Sequence, residues 1–135
     1  MASDFETQKV EYEIQHIVTE PKAVISSAGE NSSSVKMLVE LVSGAQAGRQ
    51  IECTIYKSAI WGRSKEMCDV SFDDPRISKQ HCVFEVRECG VVLSDLNSHN
   101  GTYVNGIKIP AEHLLHVGDT LQLGNIVLRV IQLAK

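Results

Sequence analysis

Polar side chains that can bind an anion are concentrated in three short segments of the sequence. The segments are Trp61–Ser64 (WGRS), Arg76–His81 (RISKQH) and Asn97–Gly106 (NSHNGTYVNG). Together they offer a guanidinium group, a serine hydroxyl, a lysine, a histidine and a carboxamide, a set that is rich in hydrogen-bond donors. Such a set suits a phosphate, whose oxygens accept several charge-assisted hydrogen bonds. The residue types therefore predict a phosphate-binding site if the fold brings the three segments together.

The same residues could be interpreted as a catalytic or a calcium site, and the sequence disfavours both. Ser78 and His81 could form a hydrolase triad with Asp95, but no Gly-x-Ser-x-Gly sequence surrounds Ser78 and a triad is recognised by its geometry. The stretch from Asp95 to Gly106 resembles a calcium loop at its start. Its glycine falls one place late, however, and its twelfth residue is glycine instead of the bidentate glutamate. Kinase motifs are also missing, so we expect no enzymatic activity and no calcium binding.

The cysteines and the remaining histidines predict neither a disulfide framework nor a metal site. The sequence has four cysteines: Cys53, Cys68, Cys82 and Cys89. They lack a Cys-x-x-Cys pair and the paired short spacings of zinc ligands, so we expect reduced thiols that are buried or inert. His113 and His116 flank a Leu-Leu pair, have no matching ligand set, and are interpreted as ordinary surface or turn residues. We expect no metal and no other cofactor.

The charge and hydropathy of the chain argue against nucleic acid and membranes as partners. The 135 residues carry a net charge of -4, so the chain lacks the broad basic surface that neutralises many nucleic-acid phosphates. No run approaches the roughly 18 apolar residues of a membrane span, and the polar start MASDFETQKVEYE does not match a secretory signal. We therefore expect an intracellular protein, nuclear or cytoplasmic.

The first 34 residues differ in composition from the rest. The segment ISSAGENSSS at residues 25–34 has the composition of a flexible linker. Before it, VEYEIQHIV alternates apolar and polar positions, which suits an added strand and an isolated amphipathic piece equally well. We therefore assign a flexible arm to residues 1–34 and one domain to residues 35–135, since a chain of this size can bury one core.

From residue 35 onward the pattern is that of short strands. Ten runs rich in Val, Ile, Leu and Thr are separated by Gly, Asn, Asp and Pro. No segment keeps a helical period for three turns, and only PAEHLLHVG offers a single helical turn. The Asn-Gly pairs at 100–101 and 105–106 are typical of tight hairpin turns. The pattern predicts an all-β fold, an antiparallel β-sandwich with the three polar segments in its loops.

Four signatures follow one another along this domain. They are Gly62-Arg63, Ser78 with His81 three residues later, Asn100-Gly101-Thr102, and Asn105-Gly106. In this order they resemble the forkhead-associated (FHA) domain, and the resemblance covers residues 35–133. It implies a sandwich of about eleven strands of the FHA and SMAD-like type, with loops at one end forming the site. It also implies a non-catalytic module that binds phosphothreonine in a partner protein.

The resemblance implies a role for each residue that would contact the ligand. Arg63 is expected to be the main charged phosphate ligand, Ser78 to donate its hydroxyl to a phosphate oxygen, and Lys79 to add positive charge. Asn100 is expected to hold the main chain of the bound peptide through its amide. His99 occupies a position where the family often has Thr, Ser or a basic residue lining the pocket for the threonine methyl group.

Arg76 is expected to contact the third residue after the phosphothreonine, since the family can have a specificity residue at this position. An arginine there suggests a preference for Asp or Glu in the ligand. Asp73 and Asp74 lie close enough in sequence to neutralise the arginine instead, and the sequence leaves both readings open.

The resemblance also implies a group of residues that support the site without contacting the ligand. This group comprises Gly62, His81, Gly101, Thr102, Asn105 and Gly106. Gly62 is expected to let the backbone turn without a side chain in the way, and His81 to pack inward and tie loops together. The others are expected to support the loop and the tight turn.

Two further interpretations concern how the domain engages partners. The first is a scaffold that binds its partner through another face of the sandwich, independently of phosphate. The second is a dimer: Thr7-Gln8 has the form favoured by DNA-damage-response kinases, so phosphorylated Thr7 could bind the pocket of a second molecule. Val10, the third residue after Thr7, does not match an acidic preference at that position.

Overall fold

A computed structural model describes residues 34–135. The predicted arm, its possible strand and Thr7 lie outside the described residues. Eleven strands occur within residues 34–135: β1 Val35–Leu41, β2 Gln50–Ile55, β3 Ser58–Gly62, β4 Val70–Ser71, β5 Cys82–Arg87, β6 Gly90–Asp95, β7 Thr102–Val104, β8 Ile107–Lys108, β9 Glu112–Leu114, β10 Thr120–Leu123 and β11 Ile126–Ala134. No helix long and apolar enough to cross a membrane occurs in this part of the chain.

The strands form two sheets. One sheet has the order β9-β6-β5-β3-β4 and the other the order β2-β1-β11-β10-β7-β8. Neighbouring strands are antiparallel, apart from β3 and β4, which pair in parallel with Trp61 opposite Val70. The β-sandwich of about eleven strands predicted from the sequence is therefore confirmed, with one parallel pair that the sequence did not reveal.

The inner faces of the two sheets share one hydrophobic core. Along β1, every second residue is buried, as expected for a strand with one face toward the core: Val35, Met37, Val39 and Leu41. Buried residues of both sheets belong to the same cluster. The sandwich is thus a rigid support for the loops at its ends.

Trp61 anchors the core directly beneath the first polar segment. Its side chain is fully buried, with ring centroids 4.7 Å from Phe84 and 5.6 Å from Phe72. Aromatic pairs at these separations add packing energy to the large area that each ring buries. Since Gly62 and Arg63 follow Trp61 in the chain, the core fixes the start of the loop that carries Arg63.

The segment PAEHLLHVG contains a strand and not the predicted helical turn. Glu112–Leu114 form β9, which pairs with β6 so that His113 lies opposite Leu93. A sheet edge offers unpaired backbone groups, and pairing with it satisfies the backbone of the added segment. A single helical turn would be marginal by itself, because helix nucleation is unfavourable. The local pattern could not reveal this pairing, which depends on a strand about twenty residues away.

All four cysteines are free. Cys53 and Cys82 are buried, and burial raises the pKa of Cys53 to about 12. Cys68 is half-buried, and burial raises the pKa of its thiol to about 11. Cys89 is exposed. Of the expected thiols, buried or inert, Cys53 and Cys82 are thus the buried ones.

Candidate phosphate-binding site

The three polar segments meet at one end of the sandwich. Strands β3 and β6 end there and β5 begins there, because Trp61 and Asp95 both pair with Cys82. The third segment leads on into β7 of the other sheet. The loops that follow β3, precede β5 and precede β7 are therefore neighbours, as the sequence-based hypothesis required.

Backbone hydrogen bonds join the loop of Arg63 to the loop of Ser78. The N–H of Arg63 donates to the carbonyl oxygen of Ser78 at 2.9 Å, and the N–H of Ser64 donates to that of Lys79 at 3.2 Å. A Cβ atom on Gly62 would lie 2.3 Å from the carbonyl oxygen of Lys79, a distance that side chains do not tolerate. The close approach of the two loops therefore requires glycine at position 62.

The guanidinium group of Arg63 is held at one edge. Arg63 is exposed, and its Nε–H donates to the carbonyl oxygen of Ile77 at 2.9 Å. Ile77 is itself buried in the core. Within residues 34–135, no hydrogen bond or ion pair engages the two terminal amino groups of Arg63. Four of the five N–H donors are thus available to an anion, on a side chain whose direction is already fixed.

The hydroxyl group of Ser78 faces the segment that contains His99. The backbone N–H of His99 donates to Oγ of Ser78 at 2.9 Å. In this bond the serine oxygen is the acceptor, so its own hydrogen remains available for donation to a phosphate oxygen. His99, whose backbone N–H makes this bond, is exposed, and so is Lys79, the next residue after Ser78 in the chain. The Ser78 hydroxyl group therefore belongs to a loop that carries an exposed lysine and is bonded to the backbone of an exposed histidine.

The side-chain amide of Asn100 connects the third segment to the second. Its Nδ2 donates to the carbonyl oxygen of Arg76 at 2.8 Å. One amide N–H and the amide oxygen of this exposed residue remain, which are the groups needed to bind a peptide backbone. Gly101 follows with φ of +87°, and a Cβ atom there would lie 2.8 Å from the side chain of Lys108.

Asp74 organises the loop that carries Arg76. Its carboxylate is buried and accepts hydrogen bonds from the backbone N–H of Arg76 at 2.9 Å and of Asn125 at 2.8 Å. The sequence left open whether Asp74 neutralises the Arg76 guanidinium group instead. The structure gives this carboxylate a role in shaping the backbone, and Arg76 itself is exposed. Asn125, fifty-one residues away, carried no signal in the sequence.

His81 joins two of the loops from inside. It is fully buried, its Nδ1 accepts a hydrogen bond from the N–H of Ser78 at 3.0 Å, and its Nε2 lies 2.9 Å from the carbonyl oxygen of Gly101. Since Nδ1 is an acceptor, the proton must be on Nε2, which donates to Gly101. Both ring nitrogens are thus bonded to backbone groups. Ser78, His81 and Asp95 therefore do not form a hydrolase triad.

Asp95 holds the turn before β7. Its carboxylate accepts hydrogen bonds from the hydroxyl groups of Ser98 at 2.5 Å and Thr102 at 2.6 Å, and from the N–H of Ser98 at 2.9 Å. Burial raises the pKa of Asp95, but these hydrogen bonds outweigh it, so the pKa lies below its ordinary value. Sequence reasoning considered Asp95 only as a triad member or a calcium ligand and missed this role. The signal was its position three residues before a serine, the spacing at which a side-chain oxygen caps a backbone N–H group.

Asn105 and Gly106 lie at the other end of β7 from Asn100. Both have positive φ, 53° and 85°, as a type I′ turn requires. Oδ1 of Asn105 accepts from the N–H of Thr120 at 3.0 Å, and Nδ2 donates to Asp119 at 3.0 Å. This pair therefore turns the chain and connects the turn to β10. It does not line the site.

Comparisons with known protein sequences give one family. The FHA domain family matches residues 60–124. The proliferation marker protein Ki-67 of mouse is 39% identical over 66 residues, which are 49% of this chain and 2% of Ki-67. The oxoglutarate dehydrogenase inhibitor of Corynebacterium glutamicum is 30% identical over 102 residues, which are 76% of this chain and 69% of that protein. The chain thus spans only a small part of Ki-67 but most of the bacterial relative.

Solved structures give the same result. An FHA domain studied for its phosphothreonine-dependent interactions is 29% identical, with a TM-score of 0.61 over 72% of this chain and 96% of the other. The FHA domain of the CT664 protein from Chlamydia trachomatis is 26% identical, with a TM-score of 0.64 over 72% and 97%. The fold, the four signatures and these matches agree: the chain belongs to the FHA domain family.

Proposed function

We propose that this chain binds phosphothreonine in a segment of a partner protein and has no catalytic role. The observation that carries the proposal is the convergence of Arg63, Ser78 and Asn100. They project from loops that are hydrogen-bonded to one another, and each keeps hydrogen-bonding capacity that the described residues do not use. The site is therefore organised before a ligand arrives, which lowers the ordering cost of binding.

The charges of the site suit a phosphate group. A phosphorylated side chain carries about -1.5 to -2 charges near neutral pH. Arg63 supplies a fixed guanidinium group and Lys79 adds a second positive charge beside Ser78. Hydrogen bonds to charged groups contribute on the order of 1.5 to 3 kcal/mol each. Three such bonds with backbone contacts, less the ordering cost, give an affinity of about 0.1 to 10 micromolar.

Asn100 provides a contact that a peptide can make and a free phosphate ion cannot, so it favours a peptide as the ligand. Its remaining amide groups form a donor and acceptor pair, which matches the N–H and C=O of an extended main chain. The threonine methyl group would lie in a pocket bordered by His99, so threonine is preferred to serine. Arg76, exposed on the adjoining loop, would contact the third residue after the phosphothreonine.

The known relatives support the partner class. One structural neighbour was studied for phosphothreonine-dependent FHA domain interactions, and another is an engineered FHA domain with a Myc-pTBD peptide. We infer by this similarity that the partner is a phosphoprotein. An intracellular location, nuclear or cytoplasmic, belongs to the same proposal, as does a link to the DNA damage response.

Fluorescence polarisation with degenerate peptide libraries tests the proposal. Phosphothreonine, phosphoserine and unphosphorylated libraries are titrated with the 135-residue chain and with Arg63→Ala. The control is Arg129→Ala, which removes an exposed arginine from β11, away from the three loops. We expect micromolar binding of phosphothreonine peptides alone, weaker by at least about 2 kcal/mol in Arg63→Ala and unchanged in Arg129→Ala. Equal affinity of the wild-type chain and Arg63→Ala would refute the assignment.

The same measurement separates a phosphate-independent scaffold from a phosphopeptide-binding domain. A scaffold that uses another face of the sandwich would bind its partner equally well with and without phosphate. Its affinity would also be insensitive to Arg63→Ala. Binding that depends on phosphate and is lost in Arg63→Ala would exclude the scaffold interpretation for that partner.

A further inference from the structure

Three potential metal ligands converge at the end of the sandwich opposite the loops of Arg63 and Ser78. His113 lies in β9, and His116 and Asp119 lie in the loop between β9 and β10. One ligand atom from each residue lies within 4.8 Å of the other two. The sequence analysis found no matching ligand set for the two histidines, and the structure places Asp119 beside them, which gives a set of three within residues 113–119.

This cluster is separate from the candidate phosphate-binding site. Asp119 precedes β10 and contacts Asn105, which follows β7. Asn100 lies before the other end of β7, and the Asn125 turn that contacts Asp74 follows the other end of β10. Strands of three to four residues span about 10 Å, so a group bound by Asp119 would not reach the phosphate ligands.

The carboxylate of Asp119 is fixed in position. The residue is buried, its Oδ1 accepts from Nδ2 of Asn105 at 3.0 Å, and its Oδ2 accepts from the N–H of His116 at 2.9 Å. The carboxylate is thus held in one orientation, with the outer hydrogen bonds that metal-binding carboxylates usually have.

The two imidazole rings flank this carboxylate. Nε2 of His113, which is half-buried, lies 2.9 Å from Oδ2 of Asp119. The ring of His116 is exposed and lies edge-on to that of His113, with centroids 6.4 Å apart and an angle of 78°. The nitrogen of His113 is therefore already beside the carboxylate oxygen of Asp119. The ring of His116 is exposed to solvent and is free to rotate toward them.

We propose that His113, His116 and Asp119 bind one divalent transition-metal ion of the zinc type. Zinc binds imidazole nitrogen and carboxylate oxygen at about 2.0–2.2 Å, so two ligands in a tetrahedral shell lie about 3.4 Å apart. The observed spread of up to 4.8 Å closes to this value by a rotation of His116. The ion binds Nε2 of His113 in place of the proton. This proton is then carried by Nδ1 of the same ring. Water fills the fourth position.

A bound ion would stabilise this end of the domain. It would connect β9 with the loop before β10 and, through the bond from Asn105 to Asp119, with the turn after β7. An ion that binds only the folded chain shifts the unfolding equilibrium toward the native state. We therefore expect zinc chloride to raise the Tm of the 135-residue chain by about 10 °C when it is present at about a hundred times its Kd.

The test is isothermal titration calorimetry of the untagged chain with zinc chloride, followed by cobalt(II) absorption spectroscopy. We expect one ion per chain, a micromolar Kd, and a cobalt spectrum of nitrogen and oxygen ligands without a thiolate charge-transfer band. His116→Ala removes an exposed ligand and does not threaten the fold, and His113→Gln removes the second ligand. Each is expected to weaken binding at least about tenfold.

Matched controls separate this site from other histidines and thiols. His99→Ala removes an exposed imidazole from the phosphate-binding end, and Cys89→Ser removes the exposed thiol. Both should bind zinc like the wild-type chain. No saturable binding up to about 1 mM zinc would overturn the proposal. So would affinity that is unchanged in both His113→Gln and His116→Ala, or lost in either control.

Discussion

Nδ1 of His81 accepts a hydrogen bond from the backbone N–H of Ser78 at 3.0 Å. The same buried ring donates from Nε2 to the carbonyl oxygen of Gly101, so a single neutral imidazole fixes two of the loops that carry the candidate ligands. The position of the Ser78 hydroxyl group therefore depends on a residue that does not contact the ligand.

Replacing His81 by Phe tests this dependence. Phenylalanine keeps a planar ring but leaves the N–H of Ser78 and the carbonyl group of Gly101 without partners. Each unsatisfied group costs about 1–3 kcal/mol, so we expect the free energy of unfolding to fall by about 2–4 kcal/mol. Phosphopeptide affinity should fall as well, because the Ser78 loop loses its support. Urea denaturation and fluorescence polarisation measure the two effects, and a variant with wild-type stability and affinity would contradict this role.

Gly62→Ala is expected to separate the loops of Arg63 and Ser78. The added Cβ atom would lie 2.3 Å from the carbonyl oxygen of Lys79 and 2.9 Å from Sγ of Cys68. Because the first of these neighbours is backbone, the Lys79 segment must move, and the bond from the N–H of Arg63 to Ser78 is strained or lost. We expect the phosphopeptide Kd to rise at least about tenfold, with a loss of stability of about 1–3 kcal/mol.

The control for this variant is Gly44→Ala in the loop between β1 and β2. Gly44 has φ of +86°, but an added Cβ atom would have no neighbour within 4 Å. Its substitution costs about 1–2 kcal/mol through backbone strain and does not touch the candidate site. Peptide affinity that falls equally in both variants would show that general destabilisation, and not the position of the loops, is responsible.

The sequence predicted most of what is local to this site. The runs rich in Val, Ile, Leu and Thr showed the strands, and the Asn-Gly pair at 105–106 showed a tight turn, because strand and turn propensity depend on neighbours in the chain. The four signatures also placed Arg63, Ser78 and Asn100 in loops at one end of a sandwich. These features required no knowledge of distant contacts.

Features that depend on distant contacts could not be predicted in this way. The pairing of β9 with β6 and the bond between Asp74 and Asn125 each require a second segment at a known position. A local pattern cannot specify which edge a short strand joins or which donor a buried carboxylate meets. The role of Asp95 was missed but could have been predicted, because its partner Ser98 is only three residues away in the sequence.

The hydrogen bonds of Asp95 make the stability of the folded domain depend on pH. They hold the pKa of this carboxyl group below its ordinary value despite partial burial, whereas in the unfolded chain the pKa is about 3.9. The stabilisation is therefore complete above the unfolded pKa and is lost as the pH falls through the lower, folded pKa. We expect Asp95→Asn to be less stable than the wild-type chain at pH 6, and the difference to shrink below about pH 4.

Urea denaturation across this pH range measures the effect. Glu52→Gln, on the exposed face of β2, is the matched control for conversion of an acid to an amide. A difference between the wild-type chain and Asp95→Asn that stays constant from pH 6 to pH 3 would contradict the role of the ionised carboxylate. It would leave only a steric explanation for the destabilisation of the variant.

Arg76 is expected to set the preference for the third residue after the phosphothreonine. Asp74, the nearer acidic candidate for neutralising it, is buried and bonded to backbone N–H groups, while Arg76 is exposed and its backbone carbonyl group is bonded to Asn100. Exposed ion pairs contribute about 0.2–1 kcal/mol, so peptides with Asp at this position should bind up to about fivefold more tightly than peptides with Ala. The preference should disappear in Arg76→Ala, persist in Arg129→Ala, and weaken with added salt. If the preference for Asp survives in Arg76→Ala, another residue is responsible for it. If the wild-type chain binds both peptides equally well, there is no such preference and the prediction is wrong.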